Sequence, residues 1–139
     1  MKKKRLDVEF SYDFELLGIR SSSRGYKLAW ELNQALSVSL AKKPDLKISD
    51  KAGEFHFAHY AHLSAVNVVR LFRNQPYEAE ARNIFLVPEY PHLDFVLLAQ
   101  GDEEMKGKRL HELLHNIPSI EWVAFLPLAA LKSKVNFIF

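Results

Sequence analysis

Near its start the chain alternates between apolar and polar residues without a break. Leu6, Val8, Phe10, Tyr12, Phe14 and Leu16 are apolar, and Asp7, Glu9, Ser11, Asp13 and Glu15 stand between them. Successive side chains of a strand point to opposite faces, so this pattern predicts a strand over 6–16 with one face on a core and the other in water. A half-apolar strand has to be part of a sheet, and the sheet needs a second layer over its apolar face.

The next segments supply that layer. Leu17-Gly18-Ile19 interrupts the alternation, and Ser21-Ser22-Ser23 offers N-cap hydroxyls for a helix over about 24–40. Leu28, Leu32 and Leu36, with Ala29 and Ala35, recur at helical spacing and form a stripe for the core. At about 100° per residue, Trp30 falls nearly opposite Leu28 and Leu36, with Tyr26 and Asn33 beside it. The helix therefore has two uncharged faces and needs one for its own core. Tyr26, Trp30 and Asn33 are a candidate interface, covered either by the apolar carboxyl terminus or by another molecule.

Residues 41–53, polar and containing Pro44, read as a loop. Strands are expected over 54–63 and 66–73, then a polar connection with Pro76. Two short apolar runs, 84–87 and 93–98, read as strands covered on both faces. The five residues between them suit an antiparallel hairpin. Asp102 can cap a second helix through Asn116, with Leu110, Leu113, Leu114 and Ile117 as its buried stripe and Pro118 as its stop. Residues 120–125 read as a strand, Pro127 opens a helical turn, and the apolar segment 135–139 is expected to dock. The order β-α-β-β-β-β-α-β predicts an α+β fold: a single, mostly antiparallel sheet with two main helices packed on it. Neither repeat nor linker divides the chain, so 1–139 is read as one domain, with 1–5 as a basic tail.

Composition narrows the chemistry. Forty-eight per cent hydrophobic residues in a chain of 139 suffice for one core. There is no cysteine, which excludes disulfides and thiol catalysis. Nineteen Lys and Arg face seventeen Asp and Glu, but four of the basic residues are Lys2, Lys3, Lys4 and Arg5. The remainder is slightly acidic, which is no general nucleic-acid-binding composition. Charges in Leu6-Asp7-Val8-Glu9-Phe10 spoil a secretory segment, and no window reaches the roughly 20 apolar residues of a membrane span. The expected location is the cytoplasm. With five Gly, a phosphate-binding loop has little to be built from, and no cofactor is expected.

The string Val87-Pro88-Glu89-Tyr90-Pro91-His92-Leu93-Asp94-Phe95 resembles the signature of the bacterial IPExxxVDY family. Pro88, Glu89 and Asp94 match it outright, while Val87, Leu93 and Phe95 stand for its Ile, Val and Tyr. The stretches 12–19, Leu28-Ala29-Trp30 with Asn33, and Leu131-Lys132-Ser133-Lys134 extend the resemblance over nearly the whole chain. It implies no activity, cofactor or catalytic residue. Phe95 in the Tyr position means that no phenol hydroxyl is required there.

Four groups of residues invite a chemical reading. Glu89, His92 and Asp94 would be neighbours across a hairpin, a candidate polar site for acid–base work or a divalent ion, or a set of acceptors for backbone N–H groups. His56, His59 and His62 lie on one strand, where His56 and His62 share a face about 20 Å apart and His59 points away, so one ion cannot bind all three. His111-Glu112-Leu113-Leu114-His115 has the zincin spacing but needs a third ligand and a cleft. Arg70-Leu71-Phe72-Arg73 could contact single-stranded nucleic acid, or be one strand with alternating faces. No catalytic residue and no metal ligand is assigned. The reading favoured is a non-catalytic protein-interaction or scaffold domain that binds a partner protein or its own copy. A metal-dependent hydrolase on the His111–His115 helix is the enzyme alternative, and nucleic-acid binding through Arg70, Arg73 and the basic tail is the third.

Overall fold

The computed structural model describes residues 13–78 and 83–139, so most of the strand expected over 6–16 lies outside the described residues. The first described element is β1 (Glu15–Arg20), and Leu16 to Ile19 within it are buried. Leu17-Gly18-Ile19, expected to end the strand, lies inside it. Alternation is lost there because the sheet becomes covered on both sides, and strands buried on both faces read as continuous apolar runs.

After β1 come α1 (Gly25–Leu36), β2 (Ala41–Asp50), β3 (Gly53–Leu63), β4 (Val68–Arg73), β5 (Phe95–Gln100), α2 (Gly107–His115) and β6 (Trp122–Phe125). The six strands form one sheet in the order β2-β3-β4-β5-β1-β6, antiparallel at every pairing. This is the expected α+β architecture and element order, reached by a different assignment of two segments.

The first of these is Ala41–Asp50, a strand paired to β3 rather than a loop. It is an outer strand with little burial, so its side chains stay polar and alternation gives no signal. Pro44 is accommodated by a register shift between Lys43 and Leu46, as expected of proline on an outer strand. The second is 84–87, which is no strand, and the 88–92 link closes no hairpin. Leu86 and Val87 are apolar because they are buried over the sheet, not because they pair within it.

Two cores follow from this arrangement. On one face, Leu28, Leu32 and Leu36 of α1 and Leu110 and Leu114 of α2 pack on Leu17, Ile19, Val69, Leu71, Leu97 and Ala99. Fully burying each such leucine is worth about 1.5–3 kcal/mol. On the other face no helix of that kind packs among the described residues. Leu86, Val87, Leu93, Leu126, Leu131 and Phe137, from irregular chain and 3₁₀ turns, cover Leu16, Phe57, Phe72, Val96 and Leu98.

Both helices are shorter than expected. Ser37 adopts the left-handed conformation (φ 57°) and ends α1 four residues early, with the Val38 N–H donating to the Asn33 carbonyl. Asp102 caps a separate 3₁₀ turn, Glu103–Met105, by accepting from the Glu104 N–H. Gly107 at φ 50° then redirects the chain into α2. No helix among the described residues is long and apolar enough to cross a membrane.

Candidate functional site

The segment 84–94 is held by Asn74, a fully buried residue just past the end of β4. Its Oδ1 accepts from the Val87 N–H at 2.8 Å, and its Nδ2 donates to the carbonyls of Tyr90 (3.1 Å) and Leu93 (3.0 Å). Its backbone completes the set, N–H to the Asp94 carbonyl and C=O from the Leu86 N–H. One asparagine thus does for this loop what a neighbouring strand would otherwise do. The sequence reading missed it, because a single Asn in a polar connection carries no periodic signal.

Glu89, His92 and Asp94 hang from this loop and are engaged separately. The Glu89 carboxylate accepts from the Lys132 N–H (2.7 Å), the Ser133 N–H (3.1 Å) and the Ser133 hydroxyl (2.8 Å). Burial pushes its pKa up, but the Ser133 hydroxyl and the backbone N–H groups outweigh this and hold it below the usual value. Asp94 is exposed and accepts from the Ser21 N–H at 2.8 Å, while its own N–H donates to the Ile19 carbonyl. His92 is exposed and has its ring 6.1 Å from Trp122 and 6.2 Å from Tyr90. These contacts fasten the loop to distant parts of the chain and leave the Glu89 oxygens facing donors rather than a substrate. A 520 Å3 cavity adjoins Glu89, with Phe55, Phe57, Ile84 and Leu86 among its walls.

Each remaining histidine has its own neighbour. His56 Nδ1 lies 2.7 Å from Glu78, and His62 Nδ1 accepts from the Ser39 N–H. His59 is buried, stacked on Phe72, and takes a 3.3 Å contact from Arg70 Nη1. Burial, then the Arg70 charge, push its pKa down to about 4. The His111 and His115 rings stack on the α2 surface, and His111 Nε2 is 3.1 Å from the Val123 carbonyl, which it can reach only as a donor. Among the described residues no group of three His, Asp or Glu could hold a metal ion. Arg70 and Arg73 point to opposite faces of β4: Arg70 reaches the Phe139 ring on the helix-free side, and Arg73 faces Phe95 on the helix side.

The outer face of α1 remains. Tyr26 and Trp30, one turn apart, are 66% and 61% exposed. Asn33 does not join them: it is half-buried, accepts from the Leu40 N–H at 2.7 Å and donates to the Leu40 carbonyl. The carboxyl terminus does not cover them either, since Phe137 is buried in the core of the opposite face. Beside Tyr26 lies a 210 Å3 cavity lined by Arg24, Gly25, Tyr60, Leu71, Arg73, Tyr77 and Phe95, among others. Tyr60 packs against the Gly25 backbone, where a Cβ would lie 3.3 Å from its hydroxyl.

Compared with models of known protein families the chain matches none, and comparison with curated proteins likewise finds no match.

Proposed function

We propose that this chain is a non-catalytic protein-interaction domain that presents the outer face of α1 to an acidic segment of a partner protein. The observation that carries this reading is the exposure of Tyr26 and Trp30 on a helix whose opposite stripe already fills the core. Large aromatic side chains are favoured at interface centres, where they bury much area with few rotatable bonds. Arg24 and Lys27 flank Tyr26 along the chain and Arg73 shares a cavity lining with it, all three exposed, while Glu31 beside Trp30 is half-buried and accepts from Ser119, so the face has an apolar centre and a basic border near Tyr26. That charge favours an acidic partner over a second copy, which would bring basic residues of its own.

The alternatives have less support. His111 is engaged with Val123, and Arg70 and Arg73 do not share a surface. Membership of the IPExxxVDY family belongs to the same proposal. In its favour, Glu89 of the motif bonds Ser133, and Asp94 bonds Ile19 and Ser21, so stretches that carry the resemblance meet in space. A cytoplasmic location completes it, in keeping with a chain free of cysteine.

The test is a photo-crosslinking residue at position 30, followed by reconstitution with the purified captured protein. Trp30→Glu is expected to weaken that complex by roughly tenfold or more while the melting temperature stays within about 2 °C. A variant that binds as tightly as the parent, or that unfolds, removes the reading. A dimer lost in Trp30→Glu by light scattering would replace the acidic partner with a second copy.

A further inference from the structure

The cavity beside α1 has a composition that the aromatic face alone does not explain. Its deepest walls, Leu71 and Phe95, are buried and apolar, Tyr60 is half-buried, and Tyr26 and Tyr77 stand exposed at its margin. Two arginines, Arg24 and Arg73, are also in the lining, and the Arg73 guanidinium lies 6.0 Å from the centre of the Phe95 ring. Among the described residues neither has a carboxylate partner, because the ion pairs are Lys42–Asp45, Lys47–Glu54, His56–Glu54 and His56–Glu78. Described acids adjoining this surface along the chain are engaged: Glu78, next to Tyr77, by His56, Glu31, next to Trp30, by Ser119, and Asp94, next to Phe95, by the Ser21 N–H. Lys42, whose ammonium is 5.9 Å from the Tyr60 ring centre, is paired with Asp45 and adds no net charge here. Pockets for drug-sized ligands measure about 300–1,000 Å3, so 210 Å3 admits one side chain or a small group, not a nucleotide or a large cofactor.

We infer that this cavity is the specificity pocket of the interaction face and takes an oxyanion, carboxylate or phosphoryl, borne on an apolar stem of the partner polypeptide. The aromatic walls hold the stem, and Arg24 and Arg73 hold the oxyanion, a task for which the guanidinium fork is suited. The inference rests on the interaction reading above, since the pocket opens beside Tyr26 and a chain seated in it can continue over Trp30 one turn along.

The experiment is an NMR titration of the full chain with three small probes: phenyl phosphate, 3-phenylpropionate and the neutral 3-phenylpropanamide. Saturable shifts of the Gly25, Tyr26 and Arg73 amides are expected with at least one anion, weakening as salt is added. The tighter anion identifies the group as phosphoryl or carboxylate. The Arg24→Gln/Arg73→Gln double variant is expected to keep its fold and to lose roughly tenfold or more in affinity. Equal binding of the amide, unchanged affinity in the arginine variant, or no saturable shift with either anion would each overturn the pocket. If the pocket fails while Trp30→Glu still loses the partner, the interaction face survives without it. Anion binding in a protein whose partner ignores Trp30→Glu overturns the link between pocket and face.

Discussion

Ser133 gives both its backbone N–H and its hydroxyl to the carboxylate of Glu89, at 3.1 and 2.8 Å. The two residues are 44 positions apart, and with the Lys132 N–H they fasten the carboxyl-terminal 3₁₀ turn to the motif loop. That turn brings Phe137 into the core on the helix-free face. Glu89→Ala is therefore expected to loosen residues 131–137 before anything else. Glu89 is solvent-exposed, so the cost should be modest, about 1–2 kcal/mol. Hydrogen exchange should quicken at Lys132 and Ser133 while the β5 amides keep their protection. Unchanged exchange there would show that the carboxylate does not hold the turn.

The same carboxylate gives a pH dependence of known sign. Its pKa is held below the usual value in the folded chain, so its contribution is present above about pH 4.5 and is lost as pH falls through the lower, folded value. Glu89→Gln should remove this part of the acid sensitivity. A variant whose stability falls as steeply in acid as the parent's would contradict it.

Asn74 should matter more than either motif carboxylate. Asn74→Ala strands the Val87 N–H and two carbonyls in a buried place, at about 1–3 kcal/mol for each group left unsatisfied. Loss of roughly 3 kcal/mol or more is expected in denaturant melts. Asp94→Asn, exposed and still offering an oxygen to the Ser21 N–H, should cost less than about 1 kcal/mol. A reversal of that ranking would refute the place given to Asn74.

What could be read from the chain divides along physical lines. Elements that bury one stripe, such as α1 with Leu28, Leu32 and Leu36, announce themselves by period, because water and core impose opposite chemistries on adjacent positions. β2 buries almost nothing and is a strand only because β3 offers it hydrogen bonds, so no local signal marks it. The 84–87 run misleads in the converse way: burial without pairing looks like a covered strand. The candidate polar site was visible as residue types, yet its partners, Ser21 and Ser133, are 73 and 44 residues away from Asp94 and Glu89. Tyr26 and Trp30 were legible because helix geometry alone fixes which side they face. Asn33 was not, because its amide turns back to Leu40, beyond the helix end.

His59 predicts a second acid effect, at higher pH. An ordinary histidine titrates near 6.5, and this one near 4 when folded, because burial and Arg70 disfavour its charge. Between those values the unfolded chain binds the extra proton, so stability should fall as pH drops from about 6.5 to 4. His59→Gln should flatten that interval. Stability constant from pH 7 to 4.5 in the parent would disprove it.

Gly18 faces Leu93 so closely that a Cβ would lie 2.5 Å from the leucine Cδ1. Gly18→Ala should cost about 1–3 kcal/mol through overpacking. Leu93→Val alone should also destabilise, but together the two should recover part of the loss in a double-mutant cycle. Strict additivity would place the strain elsewhere.

The outer strands decide how anything can attach to this sheet. A partner that recognises a protein by extending its sheet, or a copy stacking into a fibril, needs a long, flat, unpaired backbone edge. At one margin β2 is long, but Pro44 and the register shift interrupt it and Lys42, Lys43 and Lys47 line it with charge. At the other, β6 is four residues long and its Val123 carbonyl is already met by His111. Among the described residues neither margin offers a template, so recognition through side chains is favoured and aggregation through addition to these strands is disfavoured.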